Sequence, residues 1–130
     1  MITFEEMQTM LAEISHEIPK DFYKELNGNI VLLDEVKHHA ESAAHAPLYI
    51  MGEYHNDRQG YGGLGRCIKI YYGSFMQVYS HYPPERFKEE LRKTLIHEFT
   101  HHLESLAGER GLEIEDAVQL EKYRAMTRKE

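Results

Sequence analysis

Residues 97 to 101 read His97-Glu98-Phe99-Thr100-His101, an H-E-x-x-H sequence that sets two imidazoles one helical turn apart. On an α-helix, positions four apart lie about 40° from each other, so both rings can reach one Zn²⁺ at about 2.0–2.1 Å from a single rigid element. Glu98 falls about 100° round from His97, beside such an ion and not behind it. From there a carboxylate can take a proton from metal-bound water, whose pKa the ion lowers to near 7, and pass it to a leaving amine. The expected chemistry is hydrolysis of a peptide bond, with His97 and His101 as metal ligands and Glu98 as the catalytic base and then acid.

The motif is short, and in a chain with nine histidines chance places it about 0.1 times. Its helical surroundings strengthen it. Measured from His97, the apolar Leu91, Leu95, Ile96, Phe99, Leu103 and Leu106 fall about 120° to 260° round the helix, whereas His101 and Glu104 fall within about 40°. The pair is therefore set opposite the core face. His102 falls on the apolar side and is expected to pack in the core.

The elements that must hold this helix follow from periodicity and punctuation. Thr3 and Glu6 have the spacing of a capping box, and Phe4, Met7, Leu11 and Ile14 repeat every three or four residues, which predicts a helix from Thr3 to His16. Pro19 suits the start of a short second helix that Asn27-Gly28-Asn29 ends. Ile30 to Leu33 reads as a buried strand, His38 to Ala46 as a loop, and Leu48 to His55 as a second strand. Gly60 to Gly65 reads as a hairpin connection, because no helix follows that could cradle a phosphate. Cys67 to Tyr79, aromatic-rich and broken at Gly73-Ser74, predicts a hairpin arm or two short strands, and is a candidate edge along which an extended peptide could add. Pro84 opens the motif helix, which Gly108 should stop near Ala107. A final helix is expected from about Glu113 to Ala125. This order is that of an α+β domain with a small, mostly antiparallel sheet, a single domain over residues 1–130.

Composition limits the remaining possibilities. The net charge is -7, with 22 acidic against 15 basic side chains. The basic residues never cluster beyond three, so nucleic acid is not an expected partner. Apolar runs are only a few residues, far short of the ~20 that span a bilayer, so no membrane span is expected. One cysteine, Cys67, and an N-terminus without a basic, apolar, small-residue leader point to a reducing cytoplasm.

The segment Thr94-Leu95-Ile96-His97-Glu98-Phe99-Thr100-His101-His102-Leu103 resembles the extended motif of zincin metallopeptidases, in which uncharged residues flank H-E-x-x-H and an apolar residue closes it. In length and order of elements the chain is similar to small bacterial zincin-like metallopeptidases of about 120 to 140 residues, whose H-E-x-x-H-H helix is followed by Gly-Leu and an acidic run. Here those are His97 to His102 and Gly111-Leu112-Glu113-Ile114-Glu115-Asp116. The resemblance spans Leu48 to Leu120 and implies a minimal zincin-like fold, a Zn²⁺ cofactor and a peptide or unstructured protein as substrate. Metzincins carry Gly and a third His where this chain has Glu104 and Ala107, so the third ligand should be a carboxylate. The resemblance places it in the acidic run, at Asp116 first or at Glu113. Glu121, 20 residues after His101 and opening Glu-Lys-Tyr-Arg-Ala, has the spacing of gluzincins. Glu104 shares the His face and suits a hydrogen-bond partner of a ligand imidazole better than a ligand.

Weaker candidates remain. Tyr79 or Tyr123 could donate to a tetrahedral oxyanion. His38, His39, His45 and His55 could form a second metal site. At this length a shallow groove is expected. The alternative to a peptidase is a metal-binding module that recognises a peptide or partner without turnover, which would use the same ligands.

Overall fold

Thr3 caps the first helix as its spacing suggests: the Glu6 backbone N–H donates to Thr3 Oγ1 at 3.1 Å and the Thr3 N–H donates to Glu6 Oε1 at 2.9 Å. The computed structural model describes residues 1–56 and 65–110, with side chains described as far as Gly108. Helix α1 (Phe4–Glu17) buries Met7, Leu11 and Ile14, and a 3-10 turn (Lys20–Tyr23) stands where a second helix is predicted. Strands β1 (Asn29–Leu33), β2 (Lys37–His38), β3 (Tyr49–Ile50), β4 (Gly52–Asn56) and β5 (Arg66–Tyr71) follow, then helices α2 (Tyr72–Tyr79) and α3 (Pro84–Arg110).

The architecture is α+β, but its sheet is mixed. The three-stranded sheet has the order β1-β5-β4, with β1 parallel and β4 antiparallel to β5, and β2 pairs with β3 in a separate antiparallel ribbon. The predicted strand from Leu48 to His55 is therefore two strands in two sheets, divided at Met51. The expected loop at His38 to Ala46 begins inside β2.

The largest departure is at Tyr72 to Tyr79, which reads from sequence as strand and is found as helix α2. Its buried and half-buried apolar residues, Tyr72, Phe75, Met76 and Tyr79, recur at i, i+3, i+4 and i+7. Gly73-Ser74 is not a strand break but a docking point. A Cβ on Gly73 would lie 2.7 Å from the Glu35 carbonyl carbon, and Ser74 Oγ accepts from the Lys37 N–H at 2.9 Å. Consequently β5 is the central strand, and the edge strand beside the motif helix is β4.

Helix α3 buries Phe87, Leu91, Leu95, Ile96, Phe99, Leu103 and Leu106, the apolar face expected of it, against Ile68 and Ile70 of β5 and against α1. Gly108 does not stop the helix, which continues to Arg110; open space surrounds the position where its Cβ would be. The expected helix at Glu113 to Ala125 and most of the Gly60 to Gly65 connection lie outside the described residues. Among the described residues no helix is long and apolar enough to cross a membrane.

Replacing Gly73 with Ala should destabilise the protein by about 1–3 kcal/mol in urea denaturation, because α2 must back away from the Glu35 carbonyl. An unchanged midpoint would show that this contact relaxes freely.

Candidate active site

Strand β4 runs alongside α3 and is held at each alternate residue. Gly52 lets the chains approach closely, since a Cβ there would meet Thr94 Cγ2 at 3.1 Å. Two residues on, the Tyr54 ring packs against His102, and Asn56 Nδ2 donates to Ser105 Oγ at 3.0 Å. Between strand and helix lies an open groove of about 730 Å³, lined by Gly52, Glu53, Tyr54, His97, Glu98, His101, Glu104 and Ser105 among others.

His97 and His101 stand exposed on its helical wall with their Nε2 atoms 3.1 Å apart and their rings near perpendicular. Two ligands held about 2.0–2.1 Å from one tetrahedral ion would be roughly 3.3 Å apart, so this pair already has the spacing that Zn²⁺ requires. Glu104 lines the same groove one turn on. Among the described residues, no group of three His, Cys, Asp or Glu side chains is placed to hold a metal. Asp116, Glu113 and Glu121, the expected sources of the third ligand, lie outside the described residues. Two imidazoles at this spacing are donors that zinc takes, and the described residues place no third donor with them.

Glu98 is 6% exposed, beneath β4. Burial pushes its carboxyl up to about 7, the charge of Glu53 adds to this, and the Tyr54 backbone N–H, donating to the carboxylate, opposes both. A carboxyl near neutrality can both accept and return a proton at ordinary pH.

Glu53 belongs to a second polar group on the strand side. Its Oε1 accepts from Lys37 Nζ at 2.5 Å and from Tyr71 OH at 2.6 Å, with His55 Nε2 at 3.6 Å. Burial raises the Glu53 carboxyl, but hydrogen bonds from Lys37 and Tyr71 outweigh it and hold the group below the usual carboxylate range. Tyr71 is pushed up to about 12 by burial and by its bond to Glu53. This group joins β2 to the sheet, so it anchors the ribbon whose Ile50 also lines the groove.

His102 is fully buried, the packing role its helical angle suggests, and burial lowers its pKa. Tyr79 packs against Phe75 and Tyr82, away from the groove lining, and Tyr123 lies outside the described residues. Among the described residues His38, His39, His45 and His55 join no metal-holding group: His38 stacks on Tyr49 and His39 Nδ1 accepts from the Glu41 N–H. Sequence reasoning does not single out Glu53 and Tyr54, although the strand's alternation puts Gly52, Tyr54 and Asn56 on one face.

An α+β protein with a helical His-Glu-His groove under an edge strand is thus defined. Comparison with family models gives no match, and comparison with curated proteins gives none either. Among solved structures, the chain is similar to a conserved hypothetical protein (TTHA0227) from Thermo thermophilus, with 31% identity over 82% of this chain and 99% of that one and a TM-score of 0.69. The chain belongs to the family of that protein. That protein's name states no activity.

Lys37→Met should lower stability by about 1 kcal/mol at pH 7. Glu53 has a lowered folded pKa, so its contribution is present above the unfolded value of 4.5 and is lost as pH falls through the folded value. Lys37 is raised above 10.5, chiefly by its hydrogen bond to Glu53, so its contribution is present below that value and is lost as pH rises through the folded value. The stability difference between parent and variant should therefore be widest between these limits and close towards acid. A difference that persists undiminished well below the Glu53 range would contradict the assignment.

Proposed function

We propose that the protein is a zinc-dependent peptidase with a minimal zincin-like fold. The observation that carries this is the convergence in one groove of the His97 and His101 Nε2 atoms, 3.1 Å apart, with the buried Glu98 carboxyl. His97 and His101 would hold Zn²⁺ together with one carboxylate, with Asp116 favoured and Glu113, Glu121 and Glu104 the other candidates. When bound, the ion supplies Lewis acidity, polarising the scissile carbonyl and making water more acidic.

The chain's own residues do the rest. Glu98 takes a proton from the attacking water as the new C–O bond forms, then delivers it to the amine nitrogen as the C–N bond breaks. Its place beside both imidazoles in the groove suits both halves of that transfer. Among the described strands β4 pairs with β5 alone, and its other edge, whose Tyr54 N–H is bonded to Glu98, lies along the groove, where an extended peptide could add beside it. The groove formed by the described residues is open, which suits short or unstructured peptides and not folded protein. A recognition module without turnover would use the same two imidazoles, but it has no need of a buried carboxyl beside them.

Glu98→Gln should reduce hydrolysis of unstructured peptides by about 10² to 10⁴-fold while zinc content stays at the parent level. Equal hydrolysis by parent and variant would overturn the peptidase reading. Bound zinc with no hydrolysis in either would favour the recognition module.

A further inference from the structure

The second histidine of the His101-His102 pair is buried outside the groove lining, yet its surroundings connect it to Glu98. His102 Nε2 lies 2.8 Å from the Lys24 carbonyl oxygen and Nδ1 lies 2.9 Å from the Tyr54 hydroxyl. A carbonyl can only accept, so Nε2 carries the proton, Nδ1 is the acceptor, and Tyr54 OH donates to it. The imidazole is wholly buried and both of its nitrogens are satisfied, which fixes the ring. Tyr54 is then held at both ends: its hydroxyl is bonded to His102, and its backbone N–H is bonded to the Glu98 carboxylate.

Three separate parts of the fold meet in this arrangement. The carbonyl comes from the segment after the 3-10 turn, the imidazole from α3, and the phenol and amide from β4. The strand is an edge strand with no neighbour among the described strands on the groove side, so its ladder to β5 alone does not set how closely it approaches α3. Three contacts do, of which the Tyr54–His102 bond is the middle one, between the Gly52 approach to Thr94 and the Asn56–Ser105 bond.

We propose that His102 and Tyr54 are positioning residues for Glu98: the buried imidazole, through the Tyr54 hydroxyl, fixes β4 so that the Tyr54 N–H is aimed at the carboxylate and holds it towards the groove. This rests on Glu98 as the base of the peptidase reading, but the clamp itself is measurable without activity. The doubled histidine thereby acquires two roles on two faces of one helix. His101 faces the groove as ligand, and His102 faces the core as the anchor of the base's hydrogen-bond donor.

The test combines amide hydrogen exchange, read residue by residue by NMR, with kinetics on the intact protein. Tyr54→Phe keeps the ring and the backbone and removes only the hydroxyl. Exchange at the position-54 amide should rise at least about tenfold, while the Ile68 and Ile70 amides of β5 are unchanged. On peptide substrate, kcat should fall between about ten- and a hundredfold with KM little altered. His102→Leu should act in the same direction, and His102→Asn, whose side-chain oxygen can stand where Nδ1 accepts, should restore most of both readouts. If His102→Leu does not fold, Tyr54→Phe and His102→Asn still decide. Unchanged exchange at position 54 in a folded Tyr54→Phe protein would overturn the proposal, as would KM rising while kcat holds. Faster exchange in a protein whose parent hydrolyses no peptide would uphold the clamp and reject the peptidase reading, which separates the two.

Discussion

The groove depends on the seating of strand β4 along helix α3. From Gly52 to Asn56 the strand advances about 14 Å and from Thr94 to Ser105 the helix advances about 16 Å, so the two run side by side and can meet at three successive places. Each meeting has a different physical basis. Gly52 against Thr94 is a close approach that a larger side chain would block, Tyr54 against His102 is a part-buried hydrogen bond, and Asn56 against Ser105 is an exposed one. Removing the strand would return Glu98 to water, lower its proton affinity and leave the His97 and His101 rings on a bare helix surface.

The helix can carry this wall because its two faces are chemically separate. Leu91, Leu95, Phe99, Leu103 and Leu106 are buried against α1 and the sheet, which fixes the helix's rotation. Given that rotation, the 3.6-residue period delivers His97, His101 and Glu104 to the groove and His102 to the interior. One residue's displacement along the chain thus turns a groove-facing imidazole into a core group. The cost of burying His102 is offset by two hydrogen bonds, and those bonds tie in the strand and the Lys24 segment.

Legibility from sequence follows the strength of local periodicity. The capping box of α1, the apolar stripe of α3 and the His97–Glu98–His101 constellation are local patterns, and each is found where its spacing puts it. Helix α2 reads wrongly as strand because its aromatic residues favour strands, while its i, i+3, i+4, i+7 repeat is only two turns long. The mixed sheet escapes a local reading because the parallel pairing of β1 with β5 joins residues 38 positions apart, such as Asn29 and Cys67, and leaves no local mark. Glu53 and Tyr54 escape it for a related reason. Their relevance comes from a strand lying beside a helix 40 or more residues later, and no spacing within the strand announces that. The acidic residues 113, 116 and 121 have local motifs to recommend them, but they lie outside the described residues.

The central claim is that His97 and His101 hold a catalytic zinc ion. Zinc X-ray absorption of protein reconstituted with one equivalent of metal tests it most directly. Two imidazole nitrogens at about 2.0–2.1 Å, completed by oxygen donors and with no sulfur, are predicted, and both nitrogens should disappear from the spectrum of the His97→Ala, His101→Ala double variant. A spectrum unchanged in that variant, or a protein that retains less than about 0.1 equivalent of zinc after reconstitution, would contradict it.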